Sequence, residues 1–459
     1  MHSIPTAAAP AAGAPSAAQR VRSILSACSG NLVEWYDFFV YAYTAIYFAG
    51  QFFPSGSQTS QLMATAGVFA VGFLMRPLGG WIFGYIADTR GRKVSMIISI
   101  FFMCGGSLII ALLPPHAAIG IFAPIILVIA RLMQGLSVGA EYGTGATYIS
   151  EMSSPGRRSF FGSFQYATII AGQLVALLVV WALQHLLTAD QMTSWGWRIP
   201  FLIGAVGAVV VVYLRRAMIE TALVKESKKK DAGSLRSLLT RHPRAVVLTM
   251  IITMGCSLYF YTFTTYMQKF LVVSAGMPAA TVSVIMTSAL VIFMLIQPLL
   301  GYVADRIGTR TNMMLFSGLA ALFVIPLLSG IRAAQDPTTV FFLVVAGLAI
   351  AGFYTPVTGV LKADLYPASV RALGVGFPYA VGNALCGGTA EYVALMLRSM
   401  GVEDYFFYYV AGMGAITFIA AVMLPDLRQH GYLDGDGAVE ENVRLGPVDR
   451  AVAGAGKGG

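Results

Sequence analysis

Long apolar stretches dominate the pattern of hydrophobic and polar positions along the chain. A helix of about 20 apolar residues spans the hydrocarbon core of a bilayer, roughly 30 Å thick. Stretches of that length or longer occur at residues 24–50, 61–87, 93–113, 119–149, 159–187, 196–214, 245–271, 279–304, 312–331, 339–363, 371–398 and 405–424. Only helices and closed barrels satisfy their backbone hydrogen bonds in lipid. The pattern therefore predicts an all-α membrane protein with twelve transmembrane helices.

The basic residues between these stretches predict the orientation of the helices. Arg90 and Lys93 follow the second stretch, and Arg157 and Arg158 follow the fourth. No Lys or Arg lies in the intervening connections at residues 51–60, 114–118 and 185–194. Because cytoplasmic loops carry the excess of Lys and Arg, this alternation predicts that both termini are cytoplasmic.

The same pattern divides the chain into five segments. We expect a disordered cytoplasmic tail at 1–22, a six-helix bundle at 23–214, a basic cytoplasmic linker at 215–244, a second six-helix bundle at 245–425 and a disordered cytoplasmic tail at 426–459. The linker cations have two interpretations, a patch for anionic lipid or nucleic acid or a charged loop that stays cytoplasmic. Acidic residues interspersed among them favour the second, so no nucleic-acid partner is expected.

Composition supports a membrane protein and gives no sign of a cofactor. The chain is 57% hydrophobic and 11% charged, whereas soluble domains carry about 25% charged residues. The four cysteines lie in apolar stretches, without CxxC spacing or a nearby histidine, and are interpreted as small core residues. We expect neither a metal site nor a bound cofactor.

Two acidic residues interrupt the first apolar stretch. Glu34 and Asp37 are three residues apart, which places them on one face of a helix. A carboxylate at membrane depth costs roughly 2.5–3.5 kcal/mol, so it faces a partner or a cavity rather than lipid. One interpretation is that they only pair with other helices; the other is that they carry protons or contact substrate, as intramembrane acids commonly do.

A ten-residue motif occurs twice, nearly half a chain apart. Gly84–Lys93 and Gly301–Arg310 both fit G-x-x-x-D-x-x-G-x-[KR], which indicates two related bundles that rock about a central site. We expect Asp88 to cap a neighbouring helix and to pair with Arg92 or another arginine, which would hold the cytoplasmic side shut. Asp305 and Glu151 are expected to act similarly, although solvated ion pairs of little consequence are the alternative.

The paired motif, the twelve spans and the basic central loop resemble the major facilitator superfamily. Residues 31–38, 72–80, 131–139 and 196–201 are similar to the metabolite:proton symporter branch, and 261–269 and 390–395 to its carriers of 2-oxoglutarate. The second motif copy departs from the pattern at Thr309, where a basic residue often stands. The resemblance implies proton-coupled uptake of a small dicarboxylate by a monomeric carrier in the bacterial cytoplasmic membrane.

The resemblance also implies roles for the charged residues within the spans. In related sugar:proton symporters, the acid of a Tyr-Asp pair in the first helix and an arginine in the fourth form the proton-linked pair. Asp37 and Arg131 match that pattern, so we expect them to pair. A rise of 1.5 Å per residue places Glu34 and Arg76 at the same height near mid-membrane, so we expect them to be neighbours. We expect Glu34 to take part in proton coupling and Arg76 to bind substrate.

A dicarboxylate requires fixed cations and neutral hydrogen-bond donors. Arg76 is the first candidate because a guanidinium grips a carboxylate with two bonds and stays charged. Lys362 and Lys269 are candidates for the second carboxylate; cytoplasmic anchoring is the alternative for the former, and snorkelling at the outer surface for the latter. The candidates for neutral contacts are Tyr166, Gln173, Tyr261 and Tyr354.

Several rival functions remain open from the sequence. A membrane enzyme would need converging catalytic groups. H-E-x-x-H does not appear, and the G-x-S-x-G match at residues 135–139 lies inside an apolar stretch, not at a turn between a strand and a helix. A non-transporting nutrient sensor is harder to exclude. Among symporters, citrate, shikimate and zwitterionic osmolytes such as proline or betaine are alternative substrates.

Overall fold

The computed structural model describes residues 16–55, 58–216, 218–221, 232–425, 427 and 431–433. The expectations for the far N-terminal tail, for most of the polylysine part of the linker and for nearly all of the C-terminal tail lie outside these residues.

The first half of the chain forms six long helices. They are α1 (Ala17–Phe52), α2 (Gln58–Leu74, continuing as Arg76–Arg90), α3 (Arg92–Leu112), α4 (Phe122–Met152), α5 (Arg158–Leu186) and α6 (Arg198–Arg216). Short helical segments at His116–Ile119, Ala189–Gln191 and Met192–Gly196 lie in the connections.

The second half repeats this arrangement after the short helix Leu235–Arg241. Its helices are α7 (Pro243–Tyr261, continuing through Thr262–Tyr266 to Met267–Val273), α8 (Ala279–Ile307), α9 (Thr309–Ala333), α10 (Pro337–Ala351 and Thr358–Asp364), α11 (Arg371–Gly382, then Asn383–Gly387 and Ala390–Ser399) and α12 (Asp404–Val422). Each predicted stretch coincides with one of α1–α12, which confirms the all-α fold. By length and composition, nine helices within the described residues are able to cross a membrane.

Proline explains two of the interruptions within helices. α2 breaks at Met75, and Pro77 stands in the first turn of its second segment. Proline fixes its own φ and has no N–H, so it is tolerated at a helix start and disfavours helical geometry just before it. α10 breaks in the same way around Pro356. The breaks leave Arg76 and Lys362 on short second segments that begin inside the molecule.

The two halves meet mainly where α2 and α4 pack on α11 and where α5 packs on α8. Within the first half, α1 packs mainly on α5 and α6. One cluster of buried apolar side chains runs through both halves. The boundary expected at residue 215 is wrong, since Arg215 lies inside α6 and is fully buried. The basic linker therefore begins after Arg216.

The repeated motif forms the same turn in both halves. Gly91 joins α2 to α3 with φ +111°, and Gly308 joins α8 to α9 with φ +99°. Only glycine adopts such positive φ values readily, because it has no Cβ. Each aspartate of the motif is thereby held at the end of its helix, facing the opposite half.

Candidate functional site: a buried network of acids and guanidiniums

Asp37 is completely buried in α1. The hydroxyl of Ser107 on α3 donates to its Oδ2, and Oδ1 has no hydrogen-bond partner among the described residues. Gly204 on α6 packs so closely that a Cβ there would collide with Oδ1. The carboxyl group is therefore enclosed by three helices of the first half.

Arg131 reaches Asp37 only through other side chains. Its Nη1 donates to Oε1 of Gln134 at 2.7 Å, and Nε2 of Gln134 donates to Oγ of Ser107 at 2.8 Å. The expected direct pairing of Asp37 with Arg131 is wrong for this structure, since no ion pair joins them within the part of the chain that it describes. The carboxylate of Asp37 accepts a hydrogen bond from Ser107 instead. The guanidinium carbon of Arg131 lies 4.2 Å from the ring centroid of Tyr41.

Arg76 is a buried cation that has no carboxylate partner in the described part of the chain. Its guanidinium carbon lies 3.9 Å from the ring centroid of Phe73 and 4.9 Å from that of Phe38. Neither terminal nitrogen has a hydrogen-bond partner among the described residues. Arg76 and Arg131 line the same small internal cavity, together with Val138. Two like charges at one cavity repel each other, and an anion between them removes that repulsion.

Glu34 is buried close to both acids and bases. The charged groups that act on it are Glu141, Arg215 and Arg76, and its Oε1 has no hydrogen-bond partner in the described part of the chain. Arg76 is thus an electrostatic neighbour, as expected from their heights, without forming an ion pair with it there. A proton on Glu34 would relieve its repulsion with Glu141.

The sequence did not lead us to predict one buried ion pair. Glu141 on α4 bonds to Nη2 of Arg215 on α6, and both side chains are almost completely buried. The signal was present, because an acid inside a membrane span needs a partner. Arg215 was instead counted with the linker because it stands near the end of its apolar stretch.

Lys362 lies deep inside the protein, beside a pair of stacked tyrosines. It is 1% exposed, and its Nζ is 3.5 Å from the hydroxyl of Tyr142 and 4.8 Å from the ring centroid of Tyr379. The two rings stack across the halves with centroids 3.4 Å apart. Burial of this kind does not fit a lysine that anchors the chain at a membrane surface. Tyr379 also lies within electrostatic reach of Arg76 and Glu34. It therefore stands between Lys362 and the buried charged residues of the first half.

The neutral candidates surround these groups. The ring of Tyr166 packs edge to face on Tyr354 with centroids 5.7 Å apart, and the hydroxyl of Tyr354 has no partner among the described residues. Tyr261 packs against Phe73, the residue under Arg76, at 6.4 Å. Nε2 of Gln173 is 3.4 Å from the hydroxyl of Tyr43.

Lys269 lies away from the buried network. Its side chain is 53% exposed and forms an ion pair with Glu391, which is 33% exposed. The structure does not bring Lys269 to the other candidate substrate contacts, and its role in substrate binding stays a prediction. A lysine that extends toward the surface is the alternative that fits.

Asp88 joins the two halves at the end of the molecule that carries the first and last described residues. It accepts hydrogen bonds from the backbone N–H groups of Ala372 at 3.0 Å and Leu373 at 2.9 Å, at the start of α11. Its Oδ1 is also 2.9 Å from Nη1 of Arg92. A carboxylate at a helix N-terminus is stabilised by the helix dipole and by free N–H groups.

Asp305 makes the equivalent contact in the opposite direction. It accepts from the N–H groups of Ser159 at 2.7 Å and Phe160 at 3.0 Å, at the start of α5. Thr309 replaces the arginine of the first copy. Within the described residues Asp305 accordingly has no ion pair like that between Asp88 and Arg92.

Glu151 completes this set of contacts. Its Oε1 is 3.1 Å from Nη2 of Arg92 and 2.9 Å from Nη1 of Arg371, so it bridges arginines of both halves. We call Asp88, Arg92, Glu151, Asp305 and Arg371 the gate network. Together these contacts close one end of the molecule between the two bundles.

Comparison with known proteins identifies the family. The model of the Sugar (and other) transporter family matches residues 23–232, and that of the Major Facilitator Superfamily matches residues 267–443. The chain is 55% identical over 406 residues to the alpha-ketoglutarate permease of Escherichia coli (strain K12), covering 88% of this chain and 94% of the relative. The chain belongs to the major facilitator superfamily. It is therefore a transporter rather than an enzyme.

Two further likenesses agree with this membership. The citrate-proton symporter of Salmonella typhi is 30% identical over 383 residues, which is 82% of this chain and 87% of the relative. The proton:xylose symporter XylE bound to 6-bromo-6-deoxy-D-glucose superposes with a TM-score of 0.77 at 16% identity, over 89% of this chain and 96% of that one. The latter confirms the major facilitator fold of two six-helix bundles.

Proposed function

We propose that this major facilitator protein takes up a small dicarboxylate, 2-oxoglutarate, together with protons by alternating access. The relatives named above include a permease for this anion and a proton symporter for citrate. The charges buried between and within the two bundles have the chemistry that such a symporter requires.

The observation that carries this proposal is the buried guanidinium of Arg76. It lies in an internal cavity, and its terminal nitrogens have no hydrogen-bond partner among the described residues. A planar guanidinium with two free N–H edges fits a carboxylate and remains charged throughout a transport cycle. Arg76 is therefore assigned to one carboxylate of the substrate.

Lys362 is assigned to the second carboxylate, in preference to Lys269. It presents a buried ammonium from the second half, and Tyr379 lies between it and Arg76. A dianion held by one cation from each half would draw the bundles together. Tyr166, Gln173, Tyr261 and Tyr354 line the same region and are assigned to neutral contacts.

Asp37 is assigned as the proton carrier, with Glu34 and Arg131 as its partners in coupling. Protonation of Asp37 neutralises a buried carboxylate and so lowers the cost of enclosing the site. It also frees the positive charge of Arg131 to attract an anion in the cavity that it shares with Arg76. Proton and dianion then bind together, and the halves rock to release both on the other side.

The gate network is assigned to the cytoplasmic side, where it would break and re-form in each cycle. We place the carrier in the bacterial cytoplasmic membrane as a monomer with cytoplasmic termini, with bundles at 23–216 and 243–425 joined by the basic linker. The Lys and Arg bias of the loops supports this orientation.

Uptake of labelled 2-oxoglutarate into proteoliposomes with an imposed inward proton gradient tests the substrate. Unlabelled 2-oxoglutarate and succinate are expected to compete more strongly than citrate, shikimate or betaine. No saturable uptake of labelled 2-oxoglutarate, or saturable uptake that citrate or betaine blocks more strongly than succinate does, would contradict the dicarboxylate assignment.

A further inference from the structure

A continuous line of buried hydrogen bonds joins Arg131 to Asp37. Nη1 of Arg131 donates to Gln134, Gln134 donates to Ser107, and Ser107 donates to Asp37. All four side chains are almost completely buried. Ser107 and Gln134 come from different helices, α3 and α4, and neither has a part in the scheme proposed above.

The direction of every bond in this line is set by chemistry. An arginine has only donors, so the amide oxygen of Gln134 must face it. The amide nitrogen of Gln134 then faces Ser107, whose oxygen must accept. The hydroxyl hydrogen of Ser107 is left to point at Oδ2 of Asp37, which accepts it most strongly when the carboxyl group is ionised. The line of hydrogen bonds is therefore strongest with an ionised Asp37.

We propose that Ser107 and Gln134 are positioning residues that relay the protonation state of Asp37 to Arg131, and so couple proton binding to dianion binding. The proposal rests on the function proposed above. When Asp37 takes a proton, its carboxyl group loses its negative charge, and Oδ2 becomes a weaker acceptor for the hydroxyl of Ser107. A hydrogen bond to a charged acceptor is stronger than one to a neutral acceptor. Protonation of Asp37 therefore weakens the hydrogen bonds that connect it, through Ser107 and Gln134, to Arg131.

The protonation state of Asp37 changes the electrostatic environment of the cavity that Arg131 shares with Arg76. With Asp37 ionised, the line ties the guanidinium of Arg131 to a compensating negative charge. With Asp37 neutral, two uncompensated guanidiniums face one cavity, which favours a dianion. Linkage requires the reverse effect of equal size, so a bound dianion favours protonation of Asp37.

The groups that face Asp37 are few, which keeps a pH test interpretable. α1 contributes Tyr36, whose hydroxyl donates to the carbonyl of Pro200 at 2.9 Å, and α3 contributes Cys104. α4 contributes Arg131 and α6 presents Gly204, which does not titrate. Within the described residues, none of these neighbours is a second carboxylate.

The decisive variants are Ser107→Ala and Gln134→Met, compared with wild type for apparent 2-oxoglutarate affinity as a function of external pH. In wild type, acidification through the titration of Asp37 is expected to tighten the affinity by roughly tenfold, within the usual range for coupled sites. Both variants are expected to lose that pH dependence and most of their proton-driven accumulation. Exchange of internal for external 2-oxoglutarate, which moves no net proton, is expected to fall much less.

Controls separate the relay from simple structural damage. Ser107→Thr keeps the hydroxyl and is expected to retain the pH dependence. Ser317→Ala removes a buried hydroxyl bonded within its own helix to Met313, at 2.6 Å, and is expected to behave as wild type. Adding Ser107→Ala to Asp37→Asn is expected to cause no further change in the apparent affinity for 2-oxoglutarate during exchange.

Three results overturn the relay while leaving the transport function intact. The first is wild-type pH dependence in Ser107→Ala or Gln134→Met, and the second is a parallel loss of exchange and accumulation. The third is a further change in apparent affinity when Ser107→Ala is added to Asp37→Asn. A wild-type protein that fails to transport 2-oxoglutarate at all overturns the proposed function instead.

Discussion

At the scale of single residues, a few buried charged side chains are proposed to have different roles in transport.

Asp37→Asn keeps the shape of the side chain and removes its ability to gain and lose a proton. We expect uphill uptake to be abolished while exchange persists, because a permanently neutral residue resembles the protonated carrier. Counterflow and gradient-driven uptake in the same vesicles measure the two activities. Asp190→Asn, at an exposed position, is the matched control, and accumulation by Asp37→Asn at the wild-type level would remove Asp37 from the mechanism.

Arg76→Lys tests whether the guanidinium itself is required. Lysine keeps the positive charge and loses the planar pair of donors, so the apparent affinity for 2-oxoglutarate is expected to weaken about tenfold or more. The concentration dependence of initial uptake measures this. Arg216→Lys, exposed at the end of α6, should leave the affinity unchanged. An Arg76→Lys protein of normal affinity would argue against a two-bond grip.

Glu141→Gln tests the buried ion pair through stability rather than transport. It removes the carboxylate that bonds directly to the buried Arg215, and breaking a buried ion pair in this way typically costs about 3–5 kcal/mol. Glu391→Gln breaks the more exposed pair with Lys269, and such surface pairs contribute at most about 1 kcal/mol. Thermal unfolding in detergent should therefore show a clear loss for the first variant and little change for the second. Equal melting temperatures would contradict the difference in burial.

At the scale of helices, the two motif copies cap opposite bundles and are unequal in strength. Asp88 has both the N-terminus of α11 and Arg92, whereas Asp305 has only the N-terminus of α5 among its contacts in the described residues. Thr309→Arg would supply the missing cation at the start of α9. We expect this variant to favour the state with the gate network closed and to slow exchange by about threefold or more.

The control for that variant is Thr309→Gln, which adds length without charge. It should exchange at the wild-type rate if the new ion pair is responsible. Faster exchange by Thr309→Arg, or equal slowing by both variants, would show that Asp305 is not limited by its missing partner.

The helices also show what the sequence was able to predict. Every span was found from apolar length alone, because lipid requires helices of about 20 residues. The breaks in α2 and α10 follow from proline. The burial of Arg215 does not follow from apolar length. Arg215 stands at the end of an apolar stretch, and it is buried because Glu141 on a neighbouring helix pairs with it. The indirect connection of Asp37 to Arg131 through Ser107 depends on how α3 packs against α4. The spacing of residues along the sequence does not predict that packing.

At the scale of the whole molecule, the two bundles are held shut at one end by contacts between charged groups and helix termini. Between the bundles, Tyr142 of the first half stacks on Tyr379 of the second, beside Lys362. Closed contacts at the gate network and cations without carboxylate partners deeper inside, as far as the described residues show, together describe a carrier that would receive its anion from the opposite side. Resemblance to a known family supplied the role predicted for Asp37, and the chemistry of the guanidinium group supplied that predicted for Arg76. Geometry was needed to separate Lys362, which is buried, from Lys269, which is not.

The most direct test of symport is to watch protons follow the dicarboxylate. Proteoliposomes without any imposed gradient are given external 2-oxoglutarate in weak buffer, and the external pH is recorded while label enters. The account predicts alkalinisation of the medium with the time course of uptake, and its absence in Asp37→Asn vesicles. Entry of labelled 2-oxoglutarate at the wild-type rate with no change in external pH would contradict proton coupling outright.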